Sequence, residues 1–143
     1  MPQKYKGKCV LRVVNPMILP SLYIGPTLTR GRGVFTAESI AAGVLIEIAP
    51  VIVLSGKDRQ LLDQTLLHDY IFEWGQSLEQ CCMALGYIPI YNHACPSNCE
   101  YEMDFDAQQI LIRTVRAVES GEELFINYQG NFDDATPVWF ACQ

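Results

Sequence analysis

The chain contains 143 residues, of which 50% are hydrophobic and 18% are charged, and its formal net charge is −6. This length suits one domain with its own core, and the composition excludes a disordered chain, which would carry fewer apolar and more charged residues. The acidic balance argues against direct binding of nucleic acid, which requires a basic surface, and favours a basic protein or peptide as partner.

The first twenty residues differ from the rest of the chain and are predicted to form an N-terminal extension. They carry four of the ten basic residues and end in a segment bounded by two prolines. Arg12 and Asn15 interrupt the apolar run, so a signal peptide is not expected, and no segment reaches the ~20 apolar residues that span a membrane. We therefore predict one domain at 21–143, located in the cytoplasm or in the nucleus of a eukaryote.

Short strands separated by turn residues dominate the first half of this domain. An apolar run at 21–24 ends at a Gly-Pro pair, and the Gly-Arg-Gly turn at 31–33 leads into another β-prone run. The segment 44–54 is rich in Val and Ile. Its Pro50 predicts either two strands or one strand with a bulge, because proline cannot donate a hydrogen bond to a sheet.

A helix is predicted directly after this segment. Ser55 is suited to cap its N-terminus, with Asp58 three residues later, and the helix is expected to end near His68. Four residues lie on one face at helical spacing: Leu61, Leu62, Thr65 and Leu66. Residues 70–74 then predict a strand.

The clearest strand covers residues 100–106, in which acidic and apolar residues alternate without exception. A period of two places four carboxylates on one face and three apolar side chains on the other. Residues 108–114 predict the returning strand of a hairpin, with Ile110 and Ile112 facing inward. A sheet with one wet face is the favoured interpretation of the acids, and a surface that attracts a cationic substrate is the alternative.

The loop at 91–99 concentrates polar and thiol groups between two strands, which is typical of ligand-binding loops. His93 and Cys95 lie two residues apart, a spacing without a known nucleophile–base geometry, and no C-x-x-C pair exists among the six cysteines. We therefore predict thiols in a reducing compartment and no metal site. A thiol- or metal-dependent protein built on Cys95 and Cys99 is the alternative.

Three motifs follow one another along the chain: Arg-Gly-Val-Phe at 32–35, Asn-His-x-Cys-x-x-Asn-Cys at 92–99, and Glu-Glu-Leu-Phe-Ile-Asn-Tyr at 122–128. This ordered set resembles the SET-domain lysine methyltransferases over about residues 22–140. The resemblance implies a mostly β, β-clip-like fold of several short curved sheets, with one or two short helices. It also implies a C-terminal pseudoknot, in which the last segment threads beneath a preceding loop.

The resemblance further assigns roles to individual residues. It implies that S-adenosylmethionine binds on one face of the domain and that the substrate lysine enters from the opposite face through a narrow channel. Tyr128 matches the catalytic tyrosine, and Tyr70 resembles a tyrosine that lines the lysine channel. The implied cofactor contacts come from all three motifs and from the C-terminus: Arg32, Gly33, Asn92, His93, Tyr128 and Trp139.

Some positions depart from the family pattern or vary within it. Ala94 replaces the usual serine, Pro96 is shifted by one place, and Ile126 occupies a position that helps to set the number of methyl groups. The predicted function is methyl transfer from S-adenosylmethionine to a lysine of a basic, histone-like protein, and the alternative is a SET-like peptide-binding module without turnover. A homodimer in which a second subunit completes the substrate channel is a further expectation.

Overall fold

The computed structural model describes residues 15–138, and strands dominate its regular structure. The strands are β1 (Met17–Ile18), β2 (Leu22–Pro26), β3 (Arg32–Thr36), β4 (Leu45–Leu54), β5 (Phe72–Trp74), β6 (Gln80–Ala84), β7 (Asn92–His93), β8 (Cys99–Asp104), β9 (Gln109–Thr114) and β10 (Glu123–Ile126). One helix, α1 (Gly56–Leu62), and two 3₁₀ turns, at Leu66–Asp69 and Ile88–Ile90, complete the elements of this range. The mostly β fold predicted from the sequence is confirmed.

The strands form two sheets that pack around one hydrophobic core. The larger sheet has the order β5-β6-β4-β9-β8, with β1 also paired to β4, and the smaller sheet has the order β2-β3-β10-β7. β10 pairs in parallel with β7 and antiparallel with β3, so it is an inner strand of the smaller sheet. Its Leu124 and Ile126 are fully buried, as are Ile110 and Ile112 of β9, whose inward orientation was predicted.

β4 is one continuous strand, which decides between the alternatives that Pro50 left open. Up to Pro50 the strand pairs with β9, and from Val51 onward it pairs with β6. The change of partner falls at Pro50 because this residue has no N–H to donate to a ladder. The irregularity lies elsewhere, since the register shifts between Leu45 and Glu47.

The helix begins as predicted but ends earlier. Ser55 and Asp58 form the capping box: the serine hydroxyl accepts from the Asp58 N–H at 3.1 Å, and the Asp58 carboxylate accepts from the Ser55 N–H at 3.2 Å. α1 ends at Leu62, because the Thr65 hydroxyl accepts a backbone N–H at 3.2 Å and so caps a separate 3₁₀ turn. The end predicted near His68 is therefore wrong.

The apolar face predicted for the helix does not pack on the core. Leu61 is 61% exposed and Leu66 is 75% exposed, and no residue of α1 is buried. The strand predicted at 70–74 is also shorter, since β5 begins at Phe72. Between residues 15 and 138, no helix is long and apolar enough to cross a membrane.

The predicted hairpin is formed by β8 and β9. The Asp104 carboxylate closes its turn by accepting the Ala107 N–H at 2.9 Å, and β8 ends at Asp104 rather than at residue 106. Glu102 is exposed, whereas Glu100 is half-buried opposite Arg113 of β9. The acids of this strand therefore do not share one uniformly wet face.

β1 lies inside the segment that was predicted as an N-terminal extension. Met17 pairs with Ile48 and Ile18 pairs with Glu47, so these residues belong to the larger sheet. The boundary at residue 20 stays a prediction, and the basic residues of the extension lie outside the described residues.

The segment after β10 is held against the loop that follows β7. The Ala94 N–H donates to the Ile126 carbonyl at 3.2 Å, and the Ser97 N–H donates to the Phe132 carbonyl at 2.9 Å. This crossing is the place of the predicted C-terminal pseudoknot, and it brings the second and third motifs together.

Candidate active site

The three sequence motifs meet on the smaller sheet around β10. Antiparallel pairing places Leu124 opposite Val34, the residue after Gly33, and parallel pairing places Phe125 opposite Asn92. The third motif therefore lies between the first and the second, although the first two are far apart in sequence.

Two buried asparagines stabilise this crossing. Asn98 donates to the Glu123 carbonyl at 2.8 Å and accepts from the Phe125 N–H at 2.7 Å. Asn127 donates to the Asp134 carbonyl at 2.8 Å and accepts a backbone N–H at 3.0 Å. Each amide satisfies backbone groups that would be costly to leave unpaired. Asn98 thereby holds the loop against β10, and Asn127 holds the segment that follows the strand.

Two adjoining cavities open beside the crossing. The larger cavity has a volume of about 640 Å³ and the smaller one about 490 Å³, both within the range of roughly 300–1,000 Å³ that is typical of small-molecule sites. Four residues line both cavities: Asp69, Tyr70, Pro89 and Tyr128. The two tyrosines that the resemblance assigned to catalysis thus lie where the cavities meet.

The smaller cavity contains part of the predicted cofactor set. Arg32, Asn92 and Tyr128 line it. Gly33 is buried next to them, and a Cβ at this position would lie 2.3 Å from Glu123 Oε1 and 3.0 Å from Asn92 Nδ2. Any other residue would displace the Glu123 carboxylate and crowd the Asn92 amide, because these two side chains approach the backbone so closely.

The side-chain amide of Asn92 has a fixed orientation. Its Nδ2 donates to the Arg32 carbonyl at 3.0 Å and to Glu123 Oε1 at 2.8 Å. Both amide hydrogens are then used, and Oδ1 remains to accept a hydrogen bond from a ligand. Asn92 therefore offers the cavity an acceptor rather than a donor.

His93 is buried and lines neither of these cavities. Its Nδ1 accepts the Tyr128 N–H at 3.1 Å, and its carbonyl accepts a hydrogen bond from the Arg30 guanidinium. Burial, followed by the charge of Arg30, lowers the pKa of His93, so the ring is neutral at pH 7. The other predicted cofactor contact, Trp139, lies outside the described residues.

Arg30 and Glu123 belong to this site although the sequence did not predict them. Arg30 lines the smaller cavity, and its guanidinium lies 5.9 Å from the Phe125 ring centroid. The sequence does contain one indication for Arg30, which lies just before the turn at 31–33. If that turn approaches a ligand, the residue beside it lies close to the ligand as well. Glu123 lies inside the third motif, but its contact with Asn92 depends on strand pairing.

Tyr128 presents a neutral hydroxyl where the two cavities meet. Its Oη donates to the Tyr91 carbonyl at 2.8 Å. Burial, with smaller contributions from Tyr70 and Asp69, raises the pKa of Tyr128 to about 12. The hydroxyl therefore keeps its proton at pH 7, and a phenolic hydroxyl can accept a hydrogen bond as well as donate one.

The larger cavity is lined by aromatic residues and by polar residues, some of them charged. Its aromatic residues are Tyr70, Phe72, Tyr91, Tyr101 and Tyr128. Four of its polar residues form two pairs at the surface: Arg59 lies 2.9 Å from the Glu73 carboxylate, and His68 Nδ1 lies 2.9 Å from Asp63 Oδ1. This lining suits a long aliphatic side chain that ends in a cation.

The cysteines between residues 15 and 138 give no support to thiol or metal chemistry. Cys82 and Cys99 are buried, and burial raises the pKa of both thiols to about 12. Cys95 is exposed and donates to the Asp134 carbonyl at 3.3 Å. In the same range, no group of three or more His, Cys, Asp or Glu residues could hold a metal ion.

Sequence comparisons with known proteins are consistent with the site described above. The SET-domain family model matches residues 31–129. A histone-lysine N-methyltransferase, H3 lysine-37 specific, of Schizosaccharomyces pombe is 33% identical over 114 residues, which cover 79% of this chain and 76% of the relative. The histone-lysine N-methyltransferase set9 of the same yeast is 30% identical over 105 residues, which cover 69% of this chain and 22% of that protein.

A solved structure shows the same fold. A crystal structure of a Plasmodium falciparum protein described as a histone methyltransferase matches with a TM-score of 0.55 at 24% identity, covering 76% of this chain and 92% of that chain. The resemblance predicted from the three motifs is thereby confirmed. By the match of the family model over most of its length, the chain belongs to the SET-domain family.

Proposed function

We propose that this SET domain is a protein-lysine N-methyltransferase that uses S-adenosylmethionine as methyl donor. The observation that carries the proposal is the wall shared by the two cavities, where Tyr70 and Tyr128 lie. The smaller cavity offers polar groups suited to a charged cofactor, and the larger cavity offers an aromatic lining suited to a lysine side chain. A group transfer needs two binding sites that meet at one reacting centre.

The residues of the smaller cavity fit the amino-acid end of the cofactor. Asn92 Oδ1 would accept from its ammonium group, and Arg30 and Arg32 supply positive charge for its carboxylate. When bound, S-adenosylmethionine supplies a methyl group activated by the adjacent sulfonium. The main chain of His93 and the Trp139 ring remain proposed contacts.

The lining of the larger cavity lowers the cost of deprotonating the substrate. A lysine has an ordinary pKa of about 10.4, so a neutral amine at pH 7 costs about 4.6 kcal/mol. Burial among aromatic residues such as Tyr70 and Tyr101 disfavours the ammonium form and reduces this cost. The Tyr128 hydroxyl, whose proton is held by the Tyr91 carbonyl, would accept a hydrogen bond from the amine and align it.

We propose a basic, histone-like protein as substrate. The net charge of −6 and the exposed Asp69 in the shared wall both favour a basic partner. The fission-yeast relative is named for lysine 37 of histone H3, which supports the same substrate class. A cytoplasmic or nuclear location and a homodimer that completes the channel stay predictions.

The test is transfer of radiolabel from S-adenosylmethionine to core histones and other basic proteins, together with calorimetry of cofactor binding. Wild-type protein should bind the cofactor and label a lysine. Asn92→Ala should weaken cofactor binding by about tenfold or more, because the ammonium group loses its acceptor. Asn131→Ala is the matched control, since Asn131 is exposed and lines neither cavity. Absence of both transfer and cofactor binding in the wild type would contradict the proposal.

The alternative, a peptide-binding module without turnover, has no observation in its favour. Such a module would need the larger cavity but not the arrangement of Asn92 and Tyr128 described above. Peptide binding by a protein that neither binds the cofactor nor transfers label would support it.

A further inference from the structure

Glu47 is a buried carboxylate in β4 that lies outside the three motifs. Its side chain has no exposed surface, and its neighbours Ile46 and Ile48 are buried as well. Burial raises the pKa of Glu47 to about 7, although hydrogen bonds from the segment that begins at Tyr87 lower it. Because burying a carboxylate is unfavourable without hydrogen bonds, its partners indicate what the burial achieves.

The hydrogen bonds of Glu47 all reach one short segment. Oε1 accepts the Tyr87 N–H at 2.7 Å, and Oε2 accepts the Tyr91 hydroxyl at 2.9 Å. Gly86, just before this segment, has a φ of +68°, and a Cβ there would lie 2.4 Å from Glu47 Oε1. The glycine thus allows the turn to bring its backbone onto the carboxylate.

The segment held by Glu47 forms part of the wall between the two cavities. Pro89 lines both cavities, and Ile88 and Tyr91 line the larger one. Tyr91 also provides the carbonyl that accepts the Tyr128 hydroxyl at 2.8 Å. Its side chain is therefore anchored on Glu47, while its main chain orients Tyr128.

We propose that Glu47 is a positioning residue for methyl transfer: through the Tyr91 hydroxyl, it holds the carbonyl that orients the Tyr128 hydroxyl. The inference rests on the proposed function and adds a residue that touches neither substrate nor cofactor. Without this link, Tyr91 and the hydroxyl it orients are no longer held in place. A misplacement of about 1 Å lowers a rate by up to about 100-fold, so the effect falls on kcat.

Two variants break the hydrogen bond between the Glu47 carboxylate and the Tyr91 hydroxyl, and one variant keeps it. Glu47→Leu removes both acceptors, and Tyr91→Phe removes only the hydroxyl. Glu47→Gln keeps the link, because its amide oxygen still accepts the Tyr87 N–H and its amide nitrogen donates to the Tyr91 oxygen. Thr114→Val is the matched control, since Thr114 is buried, donates to the Ala41 carbonyl at 2.8 Å and lines neither cavity.

The first measurement separates kcat from KM, using core histones as substrate and calorimetry for cofactor Kd, after circular dichroism has shown that each variant is folded. Tyr91→Phe and Glu47→Leu should lower kcat by about 10- to 100-fold, with cofactor Kd nearly unchanged. Glu47→Gln and Thr114→Val should keep the wild-type kcat. If Glu47→Leu does not fold, Tyr91→Phe decides, because it removes a single oxygen atom.

The second measurement does not depend on activity. With ¹³C at the Cζ of tyrosine, the Tyr128 resonance should shift in Tyr91→Phe and in Glu47→Leu, and it should stay in place in Thr114→Val. Wild-type kcat with an unshifted Tyr128 resonance in a folded link-breaking variant would overturn the proposal, as would an equal loss of kcat in Thr114→Val. An inactive wild type would instead contradict the proposed function, and the resonance would still decide whether the link exists.

Discussion

The two sides of the candidate active site are built in different ways. Beside the smaller cavity, the buried side chain of Asn98 ties the loop after β7 to β10 with hydrogen bonds of 2.7 and 2.8 Å, and the buried side chain of Asn127 holds the segment that follows β10. The larger cavity is lined in part by the segment 59–69, in which neither α1 nor the 3₁₀ turn has a buried residue. We infer that the core of the fold determines the proposed cofactor side, whereas a surface segment carries part of the substrate side.

The same substitution in the two regions gives the sharpest contrast in stability. Leu124→Ala should lower the free energy of unfolding by about 2–5 kcal/mol, because Leu124 is fully buried on β10. Leu66→Ala should change it by less than about 0.5 kcal/mol, since this side chain is 75% exposed. Urea unfolding of both variants measures the difference. Similar losses would show that the segment 59–69 packs more firmly than its exposure indicates.

Glu47 adds a dependence on pH to the stability of the core. Its carboxyl holds a proton more tightly when folded, at a pKa of about 7 against 4.5, so the free energy of unfolding falls as pH rises between these values. The total fall is roughly 3 kcal/mol. Glu47→Gln should remove this component, and urea unfolding from pH 4.5 to 7 measures it. If the free energy of unfolding changed with pH in parallel for the wild type and the variant, Glu47 would not be the source of this pH dependence.

Gly33→Ala tests how closely the cofactor side is packed. The new Cβ would meet Glu123 and Asn92, so the amide of Asn92 must move and cofactor Kd should rise by about tenfold or more. Gly25→Ala is the control, because its Cβ would lie 3.3 Å from the Phe35 ring, away from both cavities. Calorimetry of the two variants decides, and equal Kd values would argue against this packing.

Arg59→Gln tests the substrate side through a change of charge, and only a small effect on stability is expected. Removing the exposed pair with Glu73 should cost less than about 1 kcal/mol. The larger cavity loses one positive charge, so KM for a basic substrate should fall, and more so at low salt. Arg113→Gln makes the same charge change at a residue that lines neither cavity. An equal fall in KM for both variants would assign the effect to net charge alone.

Local chemistry decided which parts of the fold the sequence could predict. The capping box at Ser55 and Asp58 and the inward faces of Ile110 and Ile112 follow from short-range patterns, and both are present. The apolar spacing continued past Leu62, so it predicted a longer helix. Thr65 ends that helix instead, because its side chain competes for backbone groups.

The remaining site residues depend on contacts between distant segments. Glu47 stands between two isoleucines, and alternation alone places such an acid on a wet face. It is buried because the segment after Gly86 folds over β4, which no local pattern around Glu47 indicates. The contact of Glu123 with Asn92 likewise requires the parallel pairing of β10 with β7.

The central claim is that the Tyr128 hydroxyl acts where the two cavities meet. The most direct measurement is the initial rate of label transfer by Tyr128→Phe, with cofactor Kd determined on the same sample. Tyr23→Phe serves as the control, because Tyr23 is 42% exposed and lines neither cavity. We expect Tyr128→Phe to lose about 100-fold or more in rate while it still binds the cofactor. Transfer at the wild-type rate by Tyr128→Phe would contradict the claim.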